Sequence, residues 1–284
     1  MGKLLSKHAR DSDRNPPAAA IPDPLVRAGT QALERAIVSA GPAPIGSRNG
    51  AWDTFAAWFD GIFWKRASMH ASTPNAEVFL PDNPPGTPRV LVVCPPLRSG
   101  SSAPNVKPLV RMALDRGWTV VVHVRGKALE DAESLRTCVD NARIENAPLG
   151  VIGLSVGAFE ACKAMLADAR VVSISNGYDL TLAEPQVPLL VHKHVAGVRA
   201  NKVSDVFGPL SCVDELAKAR SPTLLLNSRN DPLVPACCVA LGESLARNTA
   251  LVSSVTTPRG GHVGFVGPGG RRWAYELALE FCDA

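Results

Sequence analysis

Short apolar runs punctuate the chain from residue 77 onward: EVFL (77–80), VLVVC (90–94), TVVVHV (119–124), LGVIGL (149–154), VVSIS (171–175), TLLLN (223–227) and ALVSSV (250–255). Each has the length of a strand. Several are apolar at consecutive positions, the pattern of strands covered on both faces of a parallel sheet. Between them the apolar residues recur at helical spacing: PNVKPLVRMALDRG (104–117), LEDAESLRTCVDNARI (129–144), VGAFEACKAMLADA (156–169), CVDELAKA (212–219), ACCVALGESLARN (236–248) and GRRWAYELALEFC (270–282). The alternation predicts an α/β fold with a mostly parallel, doubly wound sheet. Residues 176–221 interrupt the rhythm. A connection that long between two strands predicts a short cap insertion over a site.

Upstream the pattern changes. Residues 1–24 end in a polar, Pro-rich stretch and read as a flexible tail, so the folded domain is expected over 25–284. LVRAGTQALERAIVSA (25–40) has helix-spaced apolar residues, and GPAPIGSRNG (41–50) reads as a loop. AWDTFAAWFDGIFWKR (51–66) carries Trp52, Phe55, Trp58, Phe59, Phe63 and Trp64 at mostly helical spacing, a stripe expected to pack into the core or against a neighbouring layer, with the mouth of an apolar pocket as the alternative.

The 284 residues are 46% hydrophobic, ample for one large α/β domain, and the net charge of +4 is too small for a nucleic-acid-binding surface. No apolar run reaches the length of a membrane span, and residues 1–20 lack the apolar core of a secretory signal. Seven irregularly spaced cysteines, several in apolar segments, read as reduced thiols packed as small hydrophobes. A cytoplasmic protein is expected. The start MGKLLSKHAR fits the N-myristoylation pattern, with Gly2 as acceptor and Ser6 at the hydroxyl position. Lys3, Lys7 and Arg10 add the cationic charge that a single acyl chain needs for peripheral membrane contact.

The stretch with chemical content is PLGVIGLSVGAFEACKAM (148–165). Gly-x-Ser-x-Gly arises by chance in roughly one chain in eight of this kind, so the motif alone is weak. Its context is stronger, because a buried strand enters and a helix leaves, as a nucleophile elbow requires. Gly153 and Gly157 supply the small side chains that a tight turn around Ser155 needs. A serine alcohol needs a base. Asp231 follows the strand TLLLN, and His262 lies in a Gly-rich loop after the next strand, so acid and base follow the serine in the order expected of this elbow. Backbone donors for an oxyanion are expected at Val156, directly after the serine, and at Leu97, the first residue after Pro95 and Pro96 with an N–H. His192 and His194 form an H-x-H pair with no evident third ligand, so no metal is expected. His123 reads as a core residue, and Arg125-Gly126 as a turn.

PPLRSGSSAPNVKPLVRMALDRGWTVVVHVRG (95–126), GLSVGA (153–158), SISNGYDL (173–180), the NDP turn (230–232) and GGHVGF (260–265) run in an order similar to α/β-hydrolases. The chain resembles the YheT-like branch of esterases and lipases in that superfamily, and GGHVGF is the stretch most particular to the branch. The resemblance implies an α/β-hydrolase fold, a triad of Ser155, Asp231 and His262, donors at Leu97 and Val156, and lipid-like acyl esters as substrates without cofactor. Two departures stand out. Pro95-Pro96 replaces the His-Gly or Pro-Gly that relatives commonly carry, and Asn230 stands where many relatives have a second Asp.

The expectation is therefore a serine esterase acting on small-molecule or lipid esters, with no nucleic-acid partner. The rivals are an acyltransferase using the same triad and a catalytically silent binding protein on the same fold.

Overall fold

The computed structural model describes residues 25–27, 31–40, 49–97, 99–125, 132–164, 166–179, 181, 211–267 and 270–284. The N-terminal tail with Gly2, most of the expected cap, and the His192–His194 pair lie outside the described residues.

Among the described residues, nine strands form one sheet. They are β1 (Leu25–Arg27), β2 (Ala71–Thr73), β3 (Ala76–Phe79), β4 (Val90–Cys94), β5 (Thr119–His123), β6 (Leu149–Leu154), β7 (Arg170–Ile174), β8 (Thr223–Ser228) and β9 (Val252–Thr257). Their order is β1-β9-β8-β7-β6-β4-β5-β3-β2. The stretch from β9 to β5 is parallel, and β1, β3 and β2 add antiparallel edges. β4, β6, β8 and β9 are buried at every position, which explains the continuous apolar runs of β4, β6 and β8, whereas β9 buries Ser253, Ser254, Thr256 and Thr257 between its two valines and at its end.

Helices cover both faces. Leu91, Val93, Val120, Val122, Ile152 and Leu154 project into one core with α1 (Gln31–Ala40), α3 (Lys107–Asp115) and α8 (Trp273–Asp283). The alternate residues Val90, Val92, Cys94, Val121 and Val151 face the other side, under α4 (Ala132–Ala142) and α5 (Val156–Lys163). A third cluster joins Val156 and Phe159 of α5 to Leu225, Leu216 of α6 (Val213–Ala217), and Cys238, Val239 and Leu245 of α7 (Ala236–Asn248). Period-two alternation along each strand thus feeds two cores, one on each face. All seven cysteines are free, six of them buried and Cys237 exposed. His123 is buried at the end of β5, with Nε2 at 3.1 Å from Ser134 Oγ.

Three expectations are corrected. Residues 25–40 are not one helix: 25–27 form β1, which pairs antiparallel with β9 and covers its edge, and the helix begins at Gln31. β2 was not foreseen, because all three residues are exposed and give no apolar signal. The aromatic stripe of α2 (Gly50–Phe63) does not pack inward. Trp52, Phe55, Trp58, Phe59, Ile62 and Phe63 are all exposed, by 43% to 71%. The inward face consists instead of Gly50, Thr54, Ala57 and Gly61, with Asp53 and Asp60 half-buried beside them.

The inversion has a steric cause. Gly50 lies so close to the Asn230 carbonyl, and Gly61 to that of Pro104, that a Cβ would fall 1.4 and 1.9 Å from those oxygens. Backbone meets backbone there, leaving no room for aromatic rings. Asp60 accepts from the buried Arg272 at 2.7 Å, and the side chain of Asn49 caps the helix by accepting from the Ala51 amide at 3.0 Å.

Candidate active site

The chain reverses direction in the sheet between β4 and β6, with β4 lying beside both β5 and β6. In open α/β sheets such a switch opens a crevice at the carboxyl ends of the strands. Residues 95–97 leave β4 there, and Ser155 leaves β6.

Ser155 sits between β6 and α5 with φ 56° and ψ −118°, a region that non-glycine residues seldom occupy. Such a conformation costs on the order of 1–3 kcal/mol and persists only where surrounding structure enforces it. The enforcement is visible in the flanking glycines. A Cβ on Gly153 would lie 2.4 Å from the Gly157 carbonyl oxygen, and one on Gly157 would lie 2.2 Å from that of Cys94. The strand, the turn and the helix can approach this closely only with glycine at both positions. The Ser155 amide is tied to Ile174 O of β7 at 2.9 Å.

Ser155 Oγ lies 2.8 Å from His262 Nε2, and His262 Nδ1 lies 2.9 and 3.1 Å from the two carboxylate oxygens of Asp231. A carboxylate accepts, so Nδ1 carries the proton and Nε2 is left to accept from the serine hydroxyl. The Asp231 side chain is fully shielded and that of His262 is 12% exposed. Asp231 Oδ1 also accepts from the amides of Leu233 and Val234 at 2.7 and 3.0 Å. The turn-forming role and the His-orienting role are thus compatible in one carboxylate. The structure brings together the three residues singled out in the sequence.

Several supporting residues, Asn230 apart, were not singled out. The loop 260–263 is held by donors and acceptors from distant elements. The His262 amide donates to Thr54 Oγ1 at 2.7 Å, and that hydroxyl donates to Gly50 O at 2.7 Å. The Val263 amide donates to Ser175 Oγ at 2.9 Å, and Ser228 Oγ donates to Gly261 O at 2.9 Å. Asn230 Oδ1 accepts from the Gly261 amide, and its Nδ2 donates to Asp53 Oδ2, both at 3.0 Å. Asn230 therefore uses both ends of its amide, and a carboxylate in its place would face that of Asp53. α2, which looked like packing, is a wall of the site through Gly50, Asp53 and Thr54.

Val156 is the first residue of α5, and Leu97 packs against the cluster that contains Val156. Val156 directly follows Ser155, and the segment leading to Leu97 meets the first turn of α5, where a Cβ on Gly157 would lie 2.6 Å from Pro95 O. Behind residues 95–97 lies Arg125, which the sequence reading treated as part of a turn. Its guanidinium makes a two-pronged pair with Glu160 of α5, at 2.5 and 2.7 Å. Among the described residues, no three His, Cys, Asp or Glu side chains gather as metal ligands would, and no helix is long and apolar enough to cross a membrane.

No family model and no curated protein matches the sequence. Solved structures do match. The chain is similar to a 2,6-dihydroxy-pseudo-oxynicotine hydrolase, with TM-score 0.61 and 22% identity over 76% of this chain and 67% of that one. It is also similar to an esterase of Pyrococcus furiosus, with TM-score 0.54 and 20% identity over 73% of this chain and 84% of that one. The third is Est1E from Butyrivibrio proteoclasticus, with TM-score 0.55 and 14% identity over 76% and 96%. The fold is the α/β-hydrolase fold, as the order of motifs led one to expect.

Proposed function

We propose that this protein is a serine hydrolase of carboxylic esters. The observation that carries the reading is the relay from Ser155 Oγ through His262 to Asp231, with both contacts at hydrogen-bond length. Ser155 attacks the ester carbonyl carbon while its proton passes to His262 Nε2. The carbonyl electrons move to oxygen, and the N–H groups of Val156 and Leu97 stabilise that oxyanion. Collapse breaks the bond to the alcohol, which leaves with the proton from His262. Water then repeats the cycle on the acyl-serine, releasing the acid and restoring the hydroxyl. Asp231 holds the imidazole in the required tautomer and stabilises its cationic form.

Proteins of the same fold support hydrolysis as the reaction class: one bears the name of a hydrolase, others of esterases, and one structure of Est1E has ferulic acid bound. Within the superfamily, GGHVGF supports the YheT-like branch. A lipid-like or medium-chain acyl ester is the proposed substrate, supported by the exposed aromatic face of α2, whose inward face anchors the His262 loop. Peripheral membrane contact through an acylated Gly2 belongs to the same proposal.

The test is a panel of p-nitrophenyl esters and glycerolipids offered to wild type and Ser155→Ala. Turnover by wild type alone supports the reading, and equal rates for both overturn it. Intact-mass measurement after co-expression with an N-myristoyltransferase tests the tail separately, and the absence of added acyl mass removes that part.

A further inference from the structure

We infer that Arg125, locked by Glu160, is the positioning residue that aims the Leu97 N–H at the oxyanion. The inference rests on the ester-hydrolase reading above. It begins from the proline pair. Pro95 and Pro96 bring two carbonyls into the turn after β4 and no N–H. The Arg125 guanidinium answers both: Nη2 donates to Pro95 O at 3.1 Å and Nη1 lies 3.4 Å from Pro96 O. The Ser99 amide adds a bond to Pro96 O at 3.2 Å.

The Pro96 carbonyl and the Leu97 N–H belong to one peptide unit. That unit is planar and trans, so its C=O and N–H point in opposite directions. Fixing Pro96 O on the buried guanidinium therefore turns the Leu97 N–H away from the buried side. Gly157 holds the other flank of the same segment, since a Cβ there would lie 2.2 Å from Cys94 O and 2.6 Å from Pro95 O. Residues 94–97 are thus gripped between the first turn of α5 and Arg125.

The grip needs Glu160. Its side chain is fully buried, that of Arg125 is 5% exposed, and His123 Nδ1 lies 3.9 Å from the same carboxylate. An ion pair buried this deeply is weak evidence for stability, since desolvation offsets much of the attraction. What it supplies is direction. Guanidinium presents its donors in a rigid planar fork, so a carboxylate gripping Nε and Nη2 also sets where Nη1 and the second Nη2 hydrogen point. Glu160 is carried on the helix that begins directly after Ser155. Serine and oxyanion donor are therefore registered to each other through one rigid element.

The test compares Arg125→Lys, Arg125→Gln and Glu160→Gln with wild type. Loss of one oxyanion donor commonly costs about 10²–10³ in turnover. A misaimed donor is expected to lower kcat by roughly 30- to 100-fold in Arg125→Gln and Glu160→Gln, with KM within about threefold. Affinity for a trifluoromethyl ketone, which mimics the tetrahedral species, should fall in parallel with kcat/KM. Arg125→Lys should recover part of the loss. A change in KM alone, or wild-type kcat in all three, overturns the inference and leaves the hydrolase reading standing. Hydrogen exchange across residues 95–101 needs no turnover: faster exchange in the variants supports the inference, and unchanged exchange overturns it. Melting by circular dichroism identifies which variants fold, and Arg125→Lys and Glu160→Gln, close in volume to the originals, are read even if Arg125→Gln does not.

Discussion

The backbone amide of His262 donates to the hydroxyl of Thr54 at 2.7 Å, spanning 208 residues of sequence. One helix whose aromatic face points outward thereby sets where the imidazole can stand. Thr54→Val keeps the shape and removes the acceptor, leaving the amide without its partner. Losing such a bond costs about 1–2 kcal/mol. Urea unfolding should show that loss, and kcat should fall by roughly tenfold as the imidazole drifts. Thr54→Ser should restore both. Wild-type kcat in Thr54→Val would show that the contact does not position the histidine.

Ser155 carries a second, separable prediction. Its φ of 56° and ψ of −118° are strained for any residue with a Cβ. Both Ser155→Ala and Ser155→Gly should lose at least about 10³-fold in turnover. Of the two, the glycine variant should be the more stable, by about 1 kcal/mol, because it alone relieves the strain. A lower urea midpoint for glycine than for alanine contradicts the account of an enforced turn.

Asn230 donates to the Asp53 carboxylate at 3.0 Å and accepts from the Gly261 amide at 3.0 Å. Asn230→Asp removes the donor and sets two carboxylates together, which favours a protonated form in the folded state. A folded-state pKa raised above the unfolded one gives stability at low pH that is lost as pH rises. The variant should therefore be destabilised by about 1–2 kcal/mol at pH 8 and clearly less at pH 4.5. A penalty independent of pH contradicts the pairing.

Burial pushes the Cys282 and Cys138 thiols up, to about 12 and about 11. Unfolded thiols ionise near pH 8.5, so between roughly pH 9 and 11 the unfolded chain has released protons that the folded chain retains. Stability is complete below pH 8 and should decline across that window. Urea midpoints at pH 8 and pH 10.5 test the point, and identical values would contradict it.

Legibility in the sequence followed burial. β4, β6 and β8 are buried along their whole length, and their apolar runs predicted them to within one residue. β2, exposed throughout, and β1, at the sheet edge, had no comparable signal. Ser155, Asp231 and His262 were legible because each follows a strand and obeys local chemistry: a glycine-flanked turn, an Asx turn before proline, a glycine-rich loop. Thr54, Ser175 and the Arg125–Glu160 pair were not, because their partners are distant in sequence and nothing local marks them. The orientation of α2 misled for a related reason. Aromatic spacing defines a face, and it is Gly50 and Gly61, where backbones touch, that decide which face turns inward.

The central claim is that Ser155 is an activated nucleophile, and covalent labelling tests it most directly. Folded wild-type protein treated with a fluorophosphonate at neutral pH should gain one adduct, mapped by peptide mass spectrometry to Ser155. Labelling should be lost in Ser155→Ala and slowed at least about a hundredfold in His262→Ala. Folded wild type that stays unlabelled, or an adduct on another residue, would contradict the account.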